Sequence, residues 1–168
     1  MPPVNLLIKP SSGMCNMRCQ YCFYHDITEK RTQGSYGFMS EETLKNVLKK
    51  ALDHADTACT IAFQGGEPTL AGLPFFEQAV RLSKEYNKKN LEIHFALQTN
   101  GYNLGPEWAE FFAREHFLVG ISVDGTIHTH DAYRKNGTGS ATFLNIMKTV
   151  DSFNRYGCLL YTSPSPRD

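Results

Sequence analysis

Apolar and polar residues alternate along this chain with two different periods, and the period switches repeatedly. Val4-Asn-Leu-Leu-Ile-Lys9 is a short, mostly apolar run, which suits a first strand. Leu44, Val47, Leu48, Ala51 and Leu52 then fall at helical spacing and predict a helix over about 41–54. Ser40 stands at its N-cap, and Glu41 and Glu42 occupy the first turn, where carboxylates suit the helix dipole. Residues 59–63 predict a second strand that ends in Gly65-Gly66, and residues 73–89 a second helix. Leu91-Glu-Ile-His-Phe-Ala-Leu97 alternates as a half-buried strand does. Pro106 suits the first position of a helix over about 107–115. Residues 117–123 predict a fourth strand. Phe143, Ile146, Met147, Val150 and Phe153 share one face of a last helix over about 140–156.

Strand and helix thus alternate through four β-α units, which favours an α/β fold with a parallel sheet and helices outside it. A doubly wound sheet fits the same periodicity, but it more often carries a Gly-rich phosphate loop after the first strand, and none is present. In barrels of this class the functional groups gather where strands end. The most distinctive residues fall at those places: a cysteine loop after the first strand, Gln64-Gly-Gly-Glu-Pro68 after the second, Gln98-Thr-Asn-Gly101 after the third, and Ser122-Val-Asp-Gly125 after the fourth. Beyond Gly157 the chain starts apolar and turns into Ser-Pro-Ser-Pro, which cannot continue a strand. Residues 158–168 are therefore expected to be a non-native or disordered tail, resembling translated sequencing-adapter read-through. The alternative is a native flexible terminus.

Composition narrows the function. Lys plus Arg equals Asp plus Glu at 17 each, so net charge gives no hint of a nucleic acid or an anionic membrane as partner. No apolar stretch approaches the about 20 residues that span a bilayer, and Met-Pro-Pro-Val lacks the features of a signal peptide. A cytoplasmic protein is expected. In that compartment three clustered cysteines favour metal over disulfide.

Those cysteines are Cys15-Asn-Met-Arg-Cys19-Gln-Tyr-Cys22, a C-x3-C-x2-C loop. Three thiolates suit a [4Fe–4S] cluster with one iron left open to a small molecule. The alternative is a zinc-stabilised binding module, but zinc usually takes four ligands in paired groups. Cys59 and Cys158 form no second pair, and Cys59 lies in an apolar run that reads as core. Gly65 and Gly66 permit close backbone approach to a ligand, or simply a turn. Glu67 is either an acceptor for an ammonium or a solvated loop carboxylate. Ser122 and Asp124 could reach a ribose, or Asp-Gly could be an ordinary turn. Arg134 could pair bidentately with a carboxylate, or Asp131–Arg134 could be a helix-end ion-pair segment. The six histidines are scattered; His128 and His130 sit in sequence that reads as loop.

With these residues in hand, the chain resembles the N-terminal part of an anaerobic sulfatase-maturating enzyme of the radical S-adenosylmethionine (SAM) superfamily, in the subgroup with a C-terminal SPASM domain. The cysteine loop carries the superfamily resemblance. Tyr-Cys-Phe-Tyr-His (21–25) and Phe-Gln-Gly-Gly-Glu-Pro-Thr-Leu-Ala-Gly (63–72) carry the subgroup. The resemblance implies a partial (β/α)6 barrel, here truncated after about four β-α units, with residues 1–157 as the first part of the core domain. It implies cluster ligation by Cys15, Cys19 and Cys22, and SAM contacts from Tyr21, Gly66, Ser122 and Arg134. Tyr24, Gln64 and Gln98 would line the cavity around SAM and a sulfatase peptide. The implied reaction oxidises a Cys or Ser of a sulfatase to Cα-formylglycine, with flavodoxin or ferredoxin as electron donor. The general base and two auxiliary clusters of the family would lie beyond this sequence, so these 168 residues alone are expected to be inactive. A sister enzyme forming a thioether or carbon–carbon crosslink is the rival within the superfamily.

Overall fold

The computed structural model describes residues 3–24 and 30–162. Pro2, His25 and the Ser/Pro tail from Ser163 onward lie outside the described residues. Five strands form one parallel sheet: β1 (Val4–Ile8), β2 (Ala58–Phe63), β3 (Glu92–Thr99), β4 (Leu118–Ile121) and β5 (Leu159–Thr162). The helices α1 (Glu41–His54), α2 (Leu73–Tyr86) and α3 (Pro106–Arg114) each connect one strand to the next, and α4 (Ile127–Tyr133) and α5 (Phe143–Arg155) lie between β4 and β5.

The strand order in space is β1-β2-β3-β4-β5, the order in sequence. A doubly wound sheet reverses its order part-way, so that its helices cover both faces. Here nothing reverses, and right-handed crossovers then place every helix on one side. Burial follows: Cys59, Ile61, Phe63, Leu97, Val119 and Ile121 point into the helical layer and are almost fully buried. Leu7, Leu118, Leu159 and Tyr161, on the other face, stay exposed. This is barrel-type winding, left open.

Aromatic residues fill the layer between sheet and helices. Phe63, Phe76, Phe112 and Phe117 are fully buried, with Phe63 against Phe76 at 5.0 Å and Phe112 against Phe117 at 5.0 Å between ring centres. Each such side chain contributes about 1.5–3 kcal/mol of transfer free energy. The expected caps form as well. Ser40 Oγ accepts the Thr43 N–H, and Pro106 opens α3.

Two expectations need correction. The chain does continue as a strand after Gly157: β5 pairs with β4 along its whole length, and the buried Cys158 donates its S–H to the Ala109 carbonyl at 3.2 Å. The apolar stretch of the expected tail from Leu159 to Tyr161 belongs to the sheet, because β4 otherwise leaves its backbone groups unpaired. Second, the segment read as loop around His128 and His130 is helix α4. It has a capping box made by Thr126 and Thr129, but Thr129 stands where Glu or Gln usually marks that motif. His130 is its one buried residue, so no apolar stripe announced it.

Candidate cofactor site

The cysteine loop is held from two sides at the carboxyl edge of the sheet. On one side it is zipped to the segment that follows α4. Arg18 N donates to Lys135 O at 2.7 Å, Gln20 N to Tyr133 O at 2.9 Å, and Gly137 N to Asn16 O at 3.2 Å. Met17, buried in the core, anchors the middle of the loop. On the other side Glu67 N donates to Met14 O at 2.8 Å. Gly66 makes this approach possible. Its φ is +59°, and a Cβ there would lie 2.3 Å from Met14 O, so only glycine fits.

The three thiols share one electrostatic environment. Cys15 is exposed as a residue, yet its sulfur is enclosed: Met17 N–H approaches it at 3.4 Å and Asn100 Nδ2 at 3.6 Å. Burial pushes the Cys15 thiol up to about 11; the Met17 N–H pulls it down, and Glu67, Cys19 and Cys22 add to the rise. Cys19 is raised too, by burial first, with Arg134 pulling against it. Among the described residues no three His, Cys, Asp or Glu side chains converge as ligands of a single ion do. A cube does not ask for convergence, because each cysteine binds a different iron. Three neighbouring thiols on one loop, with Cys15 and Cys19 penalised by burial until a cation displaces their protons, fit a [4Fe–4S] cluster and do not fit tetrahedral zinc.

Tyr21, Asp124 and Arg134 meet beside Cys19. The Tyr21 hydroxyl donates a very short hydrogen bond to Asp124 Oδ2. Arg134 Nε lies 2.9 Å from Asp124 Oδ1, and its guanidinium stacks 5.3 Å from the Tyr21 ring centre. The Asp124–Arg134 contact is an ion pair by distance, but its angle falls short of a hydrogen bond, so both atoms are buried with no hydrogen-bond partner among the described residues. Burial, and then the bond to Asp124, push the Tyr21 phenol well up. Asp124 is therefore bound to protein rather than open to a ribose, and Arg134 ends α4 as well as pairing. His130, fully buried, spans the two ends of this unit. Its Nδ1 accepts the Asp124 N–H at 3.3 Å and its Nε2 contacts Thr142 Oγ1 at 3.0 Å, while Thr142 donates to Arg134 O at 2.8 Å. Asp131 accepts the Thr142 and Phe143 N–H groups, which caps α5.

The remaining sequence-derived residues are dispersed. Gln98 Nε2 donates to Ser122 Oγ at 2.8 Å, and Tyr161 donates to Gln98 Oε1 at 3.0 Å, on the open face of the sheet. Gln64 follows β2, with its N–H on Ile8 O. Tyr24 lies apart from both, in a cleft of about 710 Å³ lined also by Lys9, Ser12, Arg31 and Tyr36, with the Lys9 ammonium 4.6 Å from its ring centre. Glu67 is neither solvated nor open to an ammonium. It is buried, and its carboxylate accepts from Thr69, Thr99 and Asn100. Sequence reasoning passed over Asn100 and Thr142 and set His130 aside as a loop residue. Of these only Asn100 carried a signal, its place in the distinctive string that ends β3.

Residues 10–162 match the family described as the radical SAM superfamily. The chain belongs to the radical SAM superfamily. Among curated relatives, the cysteine-type anaerobic sulfatase-maturating enzyme of Clostridium perfringens is 46% identical over 156 residues, 93% of this chain and 42% of the relative. The serine-type enzyme of Bacteroides thetaiotaomicron is 32% identical over 157 residues, 92% of this chain and 37% of the relative. Among solved structures, native anSMEcpe with bound AdoMet and Kp18Cys peptide superposes with a TM-score of 0.90 at 43% identity, over 96% of this chain and 43% of that one. This radical SAM chain thus spans 42% of the C. perfringens relative's length. Among its described residues no helix is long and apolar enough to cross a membrane.

Proposed function

We propose that this chain is the cluster- and SAM-binding part of an enzyme that oxidises a cysteine of a sulfatase to Cα-formylglycine. The carrying observation is the cysteine loop, locked against Tyr21, Asp124 and Arg134 at the carboxyl edge of a sheet whose sequence is 46% identical to a cysteine-type maturase. The lower identity to the serine-type enzyme, 32%, favours Cys over Ser as the oxidised residue. Cys15, Cys19 and Cys22 hold the [4Fe–4S] cluster. The cluster and SAM together supply the radical that removes a hydrogen from the substrate side-chain carbon; the protein binds, orients and sets the electrostatics.

In this reading Tyr21, Gly66, Ser122 and Arg134 contact SAM. Asp124 holds the Arg134 guanidinium by Nε, which leaves the terminal nitrogens to fork a carboxylate. Gln98 and Ser122, joined on the open face, border the substrate cavity with Gln64; Tyr24 serves it only if the cleft beside Lys9 is part of it. The first part of the core domain extends past residue 157 to include β5. A small redox protein of the flavodoxin or ferredoxin class supplies electrons, and the clustered free thiols support a cytoplasmic location.

A graft tests the reading. This chain replaces the matching part of the C. perfringens relative, and the product is reconstituted anaerobically with SAM, dithionite and a cysteine-containing sulfatase peptide. Aldehyde formation on the peptide is expected by mass spectrometry. A graft that holds its cluster and cleaves SAM but leaves the peptide unchanged refutes the substrate assignment.

The SAM contact has its own test. Arg134→Lys keeps the charge and loses the fork. A charge-assisted hydrogen bond contributes about 1.5–3 kcal/mol, so SAM affinity is expected to fall about tenfold or more. Calorimetry on the reconstituted chain measures it, and equal affinities count against the role.

A further inference from the structure

Asn100 stands immediately after β3, and its side chain reaches the cysteine loop. Its Nδ2 lies 3.6 Å from Cys15 Sγ and 2.9 Å from Asn16 Oδ1. A distance of 3.6 Å is a hydrogen bond for sulfur, whose radius exceeds that of oxygen. The amide cannot be turned round. Its Oδ1 accepts the Tyr102 N–H at 2.8 Å, so the nitrogen must face the sulfur and Asn16. The backbone of Asn100 is fixed as well, since its N–H donates to Glu67 Oε2 at 2.8 Å and Glu67 is buried. Every hydrogen-bonding group that this amide presents is engaged with a neighbour of the cysteine loop or of its own turn.

We propose that Asn100 tunes the reduction potential of the cluster held by the cysteine loop, by donating its amide N–H to Cys15 sulfur. The proposal rests on the reading that Cys15 is a cluster ligand. One-electron uptake from an external reductant adds negative charge that spreads onto the ligand sulfurs. An N–H aimed at one sulfur stabilises that charge and raises the potential. Met17 N–H, at 3.4 Å, acts on the same sulfur, but it belongs to the loop itself and comes with any loop of this shape. The Asn100 donor comes from the end of a sheet strand and depends on one side chain. It makes Cys15 the thiolate with two neutral N–H donors, whereas Cys19 is met by the Arg134 cation.

Two variants and one labelled protein test this. Asn100→Asp keeps the shape and the Oδ1 acceptor but turns an acceptor toward Cys15. Asn100→Leu removes the donor without adding charge. Both are reconstituted as the full 168-residue chain, and iron and sulfide are assayed before a redox titration followed by electron paramagnetic resonance. The midpoint potential is expected to fall in Asn100→Leu and to fall further in Asn100→Asp. In the wild-type chain, asparagine labelled with ¹⁵N only at the side-chain amide is expected to show a weak hyperfine coupling to the reduced cluster. Asn16 turns its oxygen to this contact, so the coupling reports Asn100. An unchanged or raised potential in a variant with full iron content overturns the proposal. So does a wild-type cluster without the ¹⁵N coupling, and this measurement decides the matter if the variants do not retain iron. A wild-type chain that binds no iron and sulfide overturns the cluster reading instead.

Discussion

Replacing any one of Cys15, Cys19 or Cys22 by Ala is expected to abolish the broad visible absorption of the anaerobically reconstituted protein, whereas Cys59→Ala keeps it. The effect is all-or-none because the three thiols lie on one loop and no other cysteine reaches it. Cys59 sits near the start of β2, fully buried against the helical layer, and Cys158 donates to the carbonyl of Ala109 in α3. Neither can substitute as a fourth or replacement ligand. The thiols are also mutually dependent. Burial and neighbouring charge raise Cys15 and Cys19 until a cation compensates, so removing one ligand removes part of the site that the others need. Iron and sulfide analysis of the four variants, alongside their absorption spectra, makes the comparison. Retention of full iron content in a Cys19→Ala protein, or equal loss in Cys59→Ala, would remove the cysteine loop as the cluster site. Circular dichroism of the apo-proteins guards against misfolding as the cause.

Most of the sheet was legible in the sequence because its strands and helices obey the two simple periods. β1 to β4 and α1, α2, α3 and α5 arise from apolar positions that must face one helical layer, and the caps at Ser40 and Pro106 mark their starts. The cysteine loop was equally plain, since its spacing needs no tertiary context. What stayed hidden depends on contacts between distant segments. β5 is short, and its pairing with β4 overrides a Ser/Pro-rich neighbourhood. α4 buries only His130 and so leaves no apolar pattern. Glu67 reads as a surface loop residue until the end of β3 is placed beside it. Arg134 was expected to face a ligand carboxylate; its tie to Asp124 could not be seen, because ten residues separate them along the chain and a helix intervenes. The family resemblance named residues expected to touch the cofactor but not those that position them.

Glu67→Ala is expected to be strongly destabilising, and to loosen the cluster as well. Glu67 joins three segments, two of them through its carboxylate. Oε1 accepts Thr69 N–H at 3.0 Å and the hydroxyls of Thr69 and Thr99 at 2.8 Å each, and Oε2 accepts Asn100 N–H at 2.8 Å. Its own N–H holds Met14 O, next to Cys15. Burial pushes this carboxyl up and the donors pull it back, so the network is a balance of desolvation against four hydrogen bonds. The threonine hydroxyls can rotate to other acceptors when the carboxylate is gone. The two backbone N–H groups cannot, and each buried donor left unpaired costs about 1–3 kcal/mol. The expected loss is then about 2–6 kcal/mol, a large part of the about 5–15 kcal/mol that holds a domain together. Glu67→Gln keeps the volume and three of the four contacts, but it sets an amide N–H against the Asn100 N–H, so a smaller loss of about 1–3 kcal/mol is expected. Urea unfolding of the wild type and both variants gives the order directly. Because Asn100 follows the same clamp, the Ala variant should also lose iron faster to a chelator than the Gln variant does. Equal unfolding midpoints for wild type and Glu67→Ala would show that the clamp contributes nothing, and the rigid placement of Asn100 against Cys15 would lose its physical basis.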